Sequence, residues 1–528
     1  MFKKASNKVK YSGIVTFSPD NKYFAFSRSL DVLVYSSYNI KQINKFSFPD
    51  FIEKIEFSKD SNLILICMFK RGLIEARSLL NPKFYVRISE GICGLNYALF
   101  SPDSKNILTI NENNINLSIY NLISKKKYII NYPKFSNKGL CFSTYGNFLA
   151  ILLKNSSQDE IGIYHTKSWS IINKFLPDVE DITNILWTVD NSALILIESY
   201  LLCKFHVYLP TGEKIYVVEP YKNKIGILKY KLSSNGHYFA IGCYDESVKL
   251  YNTIGFTQIC TFEHDNEILS DKKVNYFKEI KIDNNRTQFV LVNPDVKLEK
   301  TISLNTDIKT GIKSIEFSYD SNFMATLNEK NNNVIYIWEL FNLSLQAIII
   351  QINKIKSFKW AKNQHILFIN TENDKLYYFN FERAFVHELD DNFINKEFIF
   401  NEDGNKMIIK SENNFIIFDL NSNNMLQNNY NESQNTYDNI DNNNNENELN
   451  EQVLHHNPNQ EENENNDNNN QQENIINTNE NDEENENNEE NENDNNDDNQ
   501  QEDDNNNNNN INNNPFGFKE FKLTPDGV

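Results

Sequence analysis

The chain has 528 residues, 39% hydrophobic and 13% aromatic, with a formal net charge of −20 from 52 basic and 72 acidic side chains. Its apolar runs, Leu63 to Phe69 and Ala347 to Ile350 among them, fall far short of the roughly 20 residues that a membrane helix needs, which excludes that class of span. Of the charged residues, 27 acidic and 2 basic lie after position 420, so the tail carries about −25 and the preceding residues about +5; the acidic total therefore says nothing about what the folded part binds.

Met1-Phe2-Lys3-Lys4 leads into polar residues without the apolar core of a signal peptide, an expectation of a cytoplasmic protein. Six cysteines (Cys67, Cys93, Cys141, Cys203, Cys243, Cys260) sit at strand-like positions with no CxxC, and read as buried free thiols in a reducing compartment. The stretch from Ile55 to Leu80 shows the unit on which the rest of the chain is built. An apolar segment around Ile55 and Phe57 stops at the polar turn Ser58 to Asn62, a second runs from Leu63 to Phe69, and a third starts at Leu73 after Lys70-Arg71-Gly72.

Copies of this unit follow. The aromatic that closes its first strand recurs as Phe17, Phe57, Phe100, Phe142, Trp187, Leu232 (an aliphatic substitute), Phe317, Trp360 and Phe400, at intervals of 40 to 45 residues with one interval of 85. A marker near the end of the third strand keeps the same beat: Tyr35, Arg77, Tyr120, Tyr164, Tyr208, Tyr251, Trp338, Phe379 and Phe418. A period in the low forties with four short strands predicts an all-β fold, a WD-repeat β-propeller of about nine four-stranded units in residues 1–420. Nine exceeds the usual four to eight blades, so one wide ring and two rings both remain open. The double interval is read as an insertion at about 262–311 that lengthens one blade, with a tenth degenerate unit as the alternative. Lys3 to Lys10 is expected to close the ring by pairing with Phe415 to Leu420, because an open array leaves bare sheet edges.

Turn chemistry agrees: Ser-Pro-Asp at Ser18 and Ser101 recurs as Ser-Lys-Asp at Ser58 and Ser-Tyr-Asp at Ser318. The Trp-Asp dipeptide of WD repeats is absent, with Trp338-Glu339 the nearest form, and Glu263-His264-Asp265 is the one match to the usual Gly-His position. These repeats are expected to be held by packing more than by the polar network of such proteins, with Asp245 as a turn cap. From 421 to 514 the composition turns to Asn, Glu, Asp and Gln, which cannot bury enough surface to fold, so a disordered low-complexity tail is expected there, followed by a short Phe-containing segment at 515–528.

Catalytic patterns are missing. There is no phosphate-cradling Gly-rich loop with Lys-Ser or Lys-Thr, no nucleophile elbow and no HExxH, and the histidines lack metal-ligand spacing. No catalytic, cofactor-binding or metal-ligating residues and no cofactor are expected; nor is a nucleic-acid or membrane partner. A non-enzymatic protein-binding platform is the reading that follows. Candidate partner contacts are Lys70, Arg71 and Gly72 in a second-to-third-strand turn, Glu90 and Gly91 after the last strand of the same unit and expected on the opposite rim, and Trp169, which has the pattern of a packed turn aromatic or a binding hot spot.

The run Met68 to Leu73, with Ser78-Leu79, Ser89-Glu90-Gly91 and Gly94-Leu95, resembles the core of the WD-repeat protein eight family of centrosomes and spindle poles. Tyr132-Pro133-Lys134, Trp169 with Asp181-Ile182-Thr183 and Trp187, Lys224 to Ile227, Tyr244-Asp245, and Ser318 with Asp320-Ser321 match it in order. The chain departs from that family where Arg77 replaces a tryptophan and Lys231-Leu232 a small residue plus tryptophan. The resemblance implies a scaffold at the microtubule-organising centre that binds a coiled-coil spindle-pole adaptor, helps recruit a minus-end-directed kinesin and anchors microtubule minus ends. With an acidic tail, direct microtubule binding is not expected. A ubiquitin-ligase substrate receptor or a ribonucleoprotein assembly scaffold is the alternative that the same fold would serve.

Because no apolar period lies in 421–514, truncation at residue 425 is expected to leave the cooperative thermal melt unchanged; aggregation or a much lower melt in calorimetry would contradict this.

Overall fold

The computed structural model describes residues 3–81, 83–91, 94–156, 158–199, 201–219, 226–264, 274–283, 286–292, 311–389, 392–420 and 522–523. Two compact units divide the chain, one of 1–428 with 518–528 and one of 429–517; the second lies outside the described residues, as do the expected disordered tail and Cys93. Apart from a 3-10 turn at Phe69–Arg71, the regular structure among the described residues is all strand.

Nine antiparallel sheets follow one another in chain order, and we number them blades 1 to 9: residues 15–47, 54–89, 97–131, 140–175, 182–218, 227–263, 312–350, 357–388 and 397–419. The first strands of neighbouring blades touch, as between Val15–Phe17 and Lys54–Phe57 or Ile227–Leu232 and Ile312–Phe317, so they line the centre and the later strands lie progressively outward. Each blade buries both faces against its neighbours. Ala25, Val32 and Val34 of blade 1, for example, share a core with Ile55, Ile64 and Ile66 of blade 2. The periodic aromatics close these cores: Phe17, Phe57, Phe100, Trp187, Phe317 and Trp360 are buried, while Phe142, Leu232 and Phe400 are half-buried. Two of them also tie blade to blade, with the Trp187 indole donating to Cys141 O at 3.0 Å and Trp360 to Glu316 O at 3.2 Å.

The ring is single and closed. Lys3–Lys4 pairs with Asn414–Asp419 (Lys3 opposite Asp419), and Val9–Lys10 pairs further along the same strand (Val9 opposite Phe415), so the N-terminal segment supplies an interrupted outer strand for blade 9. Tyr11 then crosses to blade 1's core, packs edge-on against Phe415 and donates its hydroxyl to Ser411 O at 2.8 Å; burial, with the nearby Glu397 charge, pushes this phenol up to about 12.

A belt of polar links follows the turns between first and second strands. Asn21, Ser61, Ser104, Asn191 and Ser321 all have φ near 60°. Four of these side chains accept the turn amide of the preceding blade: Ser61 from Asp20, Ser104 from Asp60, Asn191 from Thr144 and Ser321 from Asn235, at 2.6 to 3.2 Å. Asn21 closes the circle by accepting from Glu402 at 2.7 Å. Where the neighbour offers bulk instead, the position is glycine: a Cβ on Gly146 would lie 2.5 Å from Pro102, and one on Gly236 2.6 Å from Val189.

Among the described residues, the double interval holds a hairpin, Asn275–Lys281 and Thr287–Val292, and no tenth blade. Its first strand pairs in parallel with the outer strand of blade 7, Ser344–Ile350, making that sheet six-stranded. Phe277 meets Phe379 edge-on at 5.2 Å and Phe289 meets Tyr377 at 6.2 Å, so the insertion also braces blade 8.

Deleting residues 1–10 is expected to leave Asn414–Asp419 as a bare edge, lowering the unfolding midpoint of the whole ring and exposing it to aggregation. The point variant Tyr11→Phe, which removes one buried hydrogen bond, should cost about 1 kcal/mol in chemical denaturation. A deletion that melts like the full chain would remove the closing role.

Candidate partner-binding surface

Lys70 and Arg71 lie in the exposed turn between the second and third strands of blade 2. The Gly72 N–H closes this turn on Phe69 O at 2.8 Å with Gly72 at φ 63°, while the Lys70 amide donates to the Glu53 carboxylate at 2.9 Å and Arg71 Nη1 reaches Pro49 O at 3.5 Å. The turn is thus fixed at its backbone while its two cationic side chains face solvent.

Gly91 does not lie on the opposite rim. The Glu90 amide donates to Gly72 O at 3.2 Å, and a Cβ on Gly72 would come 3.0 Å from Gly91 O, so the two segments are side by side. The reason is strand direction. In a four-stranded antiparallel sheet the last strand ends where the third begins, and here Ser89 stands opposite Leu73. Gly72 is buried and serves this close approach; Gly91 is exposed, at φ 64°.

Glu90 points inward. Its carboxylate accepts the Tyr120 hydroxyl at 2.5 Å and the Thr109 hydroxyl at 3.1 Å, with Lys127 Nζ at 3.5 Å. Burial and the Glu90 charge push the Tyr120 phenol well above its usual range, so it stays a donor. Blade 7 repeats this arrangement with other chemistry. His264 Nε2 lies 2.8 Å from the Thr326 hydroxyl, which accepts the Trp338 indole N–H at 2.8 Å, while Nδ1 lies 2.8 Å from Glu246 O. Since a carbonyl only accepts, Nδ1 carries the proton and Nε2 takes the Thr326 hydroxyl hydrogen. Thr109 and Thr326, and Tyr120 and Trp338, occupy the same register: Thr109 faces Ser118, two before Tyr120, and Thr326 faces Tyr336, two before Trp338. The polar latch, expected to count for less than packing, is thus present in blade 7 at the one matching position, and in blade 3 glutamate and tyrosine replace histidine and tryptophan.

Blade 2 solves the same position differently. Arg77, where the resembled family has tryptophan, holds the fully buried Glu75 carboxylate through Nε at 2.9 Å and Nη2 at 2.6 Å, and Arg87 holds its other oxygen. The Arg77 guanidinium also lies 4.4 Å from the Tyr85 ring and about 6 Å from the rings of Phe46 and Phe48 in blade 1. A planar cation can replace an indole there because it stacks on rings and pairs with a carboxylate at once.

Trp169 is a packing residue. It is 6% exposed, sits at φ 56° and joins Leu108, Leu117 and Leu149 in the core between blades 3 and 4. Asp245 caps its turn as expected, accepting from the Ser247 amide at 3.1 Å and the Ser247 hydroxyl at 2.8 Å.

Charges on the inner strands are paired across blades, Lys231 with Glu316 at 3.0 Å and Lys359 with Glu397 at 3.5 Å. A cleft of about 420 Å³ where the inner strands of blades 2 to 4 end contains Glu56 and Lys59, but Glu56 is already held by Lys54 at 2.6 Å and the Phe100 amide at 3.2 Å. Among the described residues no group of three or more His, Cys, Asp or Glu side chains is placed to hold a metal ion, and no helix is long and apolar enough to cross a membrane.

No protein-family model matches the chain. It is, however, 28% identical over 395 residues to WD repeat-containing protein WRAP73 of Mus musculus, covering 70% of this chain and 86% of that protein. The chain is a WD-repeat protein and a homologue of WRAP73. It is also 22% identical over 254 residues to the uncharacterized WD repeat-containing protein C32H8.09 of Schizosaccharomyces pombe, covering 46% of this chain and 51% of that one. Among solved structures, the C-terminal WD40 domain of Sif2 aligns with 79% of this chain and 98% of its own, at 11% identity and a TM-score of 0.45. As a WD-repeat propeller homologous to WRAP73, the protein belongs to a class of typically non-catalytic scaffolds that act through protein contacts.

The His264 latch sets a pH dependence. Burial pushes this imidazole from 6.5 down to about 4, against the opposing pull of Glu246 and Asp245. Below pH 6.5 the unfolded chain takes up a proton that the folded ring refuses, so stability is lost as pH falls from 6.5 towards 4, by up to about 1.4 kcal/mol per pH unit and about 3 kcal/mol in all. Urea titrations at stepped pH should show this loss in the native protein and not in His264→Gln, most cleanly between pH 6.5 and 5, above most carboxylate titration; equal slopes would rule the latch out as its source.

Proposed function

We propose that this WD-repeat protein is a non-catalytic scaffold at the microtubule-organising centre and spindle pole, which binds a coiled-coil adaptor and through it helps anchor microtubule minus ends. The carrying observation is the 28% identity to WRAP73 along 86% of that protein, joined to the spindle-pole motifs that all lie before residue 420. A minus-end-directed kinesin is the second partner that the family resemblance implies.

The adaptor contact is assigned to Lys70 and Arg71. They are exposed cations on a turn whose backbone is held from below by Glu53, Phe69 and Glu90, so a partner meets a preformed feature at little ordering cost. The first 420 residues carry about +5, which suits an acidic coiled coil, whereas the tail at about −25 is repelled by the acidic microtubule surface. Recruitment therefore goes through the adaptor and not through the microtubule wall.

A tagged copy should concentrate at spindle poles in dividing cells, and the propeller without its tail should suffice. The double reversal Lys70→Glu with Arg71→Glu should weaken adaptor capture about tenfold or more while leaving the melt unchanged, because both side chains face solvent. Diffuse mitotic signal from a folded protein, or ligase or ribonucleoprotein subunits as its proximity-labelled neighbours, would overturn the pole assignment. Pole localisation that survives the double reversal would remove only this contact.

A further inference from the structure

We infer that Cys203 and Cys243 form a redox-responsive dithiol site at the junction of blades 5 and 6, and that oxidation by a hydroperoxide joins the two blades through a reversible disulfide. This goes beyond the spindle-pole reading, since it concerns a different part of the ring and holds for any partner.

The first observation is placement. Cys203 Sγ lies 3.6 Å from Cys243 Sγ, although the two residues belong to different blades: Cys203 to the turn between Leu194–Glu198 and Phe205–Tyr208 of blade 5, Cys243 to the end of Tyr238–Cys243 in blade 6. Both are free thiols, 2% and 1% exposed, in the core that the blades share with Phe205, Phe239 and Ile241. Among the described residues no other two cysteine sulfurs are in contact. A sulfur–sulfur bond of about 2 Å needs the pair to close by about 1.5 Å. The turn can supply that movement, because among the described residues no backbone hydrogen bond holds Cys203 itself, and the Glu198 amide beside it reaches Lys204 O at a long 3.4 Å.

The second observation is that the two thiols differ from each other and from the rest. The Cys243 S–H donates to Cys203 Sγ, and the buried Lys249, held by Asp245 at 3.0 Å and the Ser247 hydroxyl at 2.9 Å, adds a positive charge nearby. That hydrogen bond and that charge pull the Cys203 thiol below its usual range, against burial and the charges of Asp245 and Glu219, while the same hydrogen bond and burial push Cys243 up. Burial also pushes up Cys67, Cys141 and Cys260, which therefore stay protonated and unreactive. Cys203 is the sulfur that meets the oxidant. It is also the one near solvent, since Leu201 in its turn is 62% exposed and a local opening there, without opening the ring, admits a small molecule.

The chemistry runs in two steps. The Cys203 thiolate attacks one oxygen of hydrogen peroxide, so that an S–O bond forms, the O–O bond breaks, and the hydroxide released takes up the thiol proton as water. The Cys243 sulfur then attacks the sulfenic sulfur; the S–S bond forms, the S–O bond breaks, and the departing hydroxide takes the Cys243 proton as a second water. Two thiols have lost two electrons and one peroxide has become two waters. The cross-link also reaches blade 7, because Cys243 is the root of the turn in which the Glu246 carbonyl lies 2.8 Å from His264 Nδ1 and the Glu246 carboxylate holds Lys330 at 2.9 Å. Fixing that turn to blade 5 removes one seam at which the ring can open.

The test exposes the full chain to hydrogen peroxide, blocks the remaining thiols and maps the peptides by mass spectrometry. Two of the six cysteines should be consumed in one Cys203–Cys243 disulfide that dithiothreitol reverses, and the oxidised protein should melt about 4 °C higher. Cys243→Ala, or Cys243→Ser should the alanine variant not fold, should leave Cys203 as a sulfenic acid that dimedone traps; Cys203→Ala should leave Cys243 unlabelled under the same exposure. Retention of all six thiols in the native protein, or a disulfide between any other pair, would overturn the proposal. So would dimedone labelling of Cys243 in the Cys203→Ala protein as strong as that of Cys203 in the converse variant, since the thiols would then be equivalent and their arrangement without effect.

Discussion

Every sheet in this molecule is apolar on both faces, and that single constraint organises the rest. A blade such as residues 54–89 has Ile64 and Ile66 in the core it shares with blade 1 and Leu65, Cys67 and Ile74 in the core it shares with blade 3, so it is stable only between two neighbours. A linear stack would leave two greasy ends. The ring removes both, and what makes it a ring is the short N-terminal pairing on Asn414–Asp419, with Tyr11 as the bolt. The turn belt then sets the angle between blades, because each link joins a left-handed turn residue to the preceding turn, and its last member, Asn21, reaches back across the seam to Glu402.

Within that frame the polar latches are exchangeable parts. One location between blades is filled by His264, Thr326 and Trp338 in blade 7, by Glu90, Thr109 and Tyr120 in blade 3, and by the Glu75 and Arg77 pair beside it in blade 2. Each set satisfies its own buried polar atoms, and a buried group costs free energy only when its partner is missing. That is why the Trp-Asp dipeptide could disappear from the sequence while the architecture stayed. It also explains why Glu90, an apparent surface acid when read in one dimension, is committed to the interior.

The repeat was legible because it is local: one aromatic per unit and one third-strand marker, spaced by the length of a blade. Closure was legible too, since an open array of such blades would leave bare sheet edges and the strand-like N-terminal segment could cover one of them. What could not be read were contacts between side chains some 40 residues apart whose identities vary, such as Ser61 with the Asp20 amide or Arg77 with Phe46. The rim of Gly91 was misjudged by following turns in chain order, whereas antiparallel pairing puts the end of the fourth strand beside the start of the third. His264 stood out by position, but its partner Thr326 lies beyond a long insertion, so nothing in the spacing joined them.

The seam has a consequence for the protein's birth. Lys3 and Val9 leave the ribosome more than 400 residues before their partners Asp419 and Phe415. At about 5 to 20 residues per second, the closing strand waits on the order of 20 to 80 seconds for its mate. Through that interval the nascent chain holds a growing stack with an apolar blade face uncovered at each end, and a ribosome that stops early releases an arc that no internal rearrangement can seal. Contacts at the largest possible sequence separation also make the final docking slow. Chaperone shelter during synthesis is thus a requirement that this architecture places on the cell.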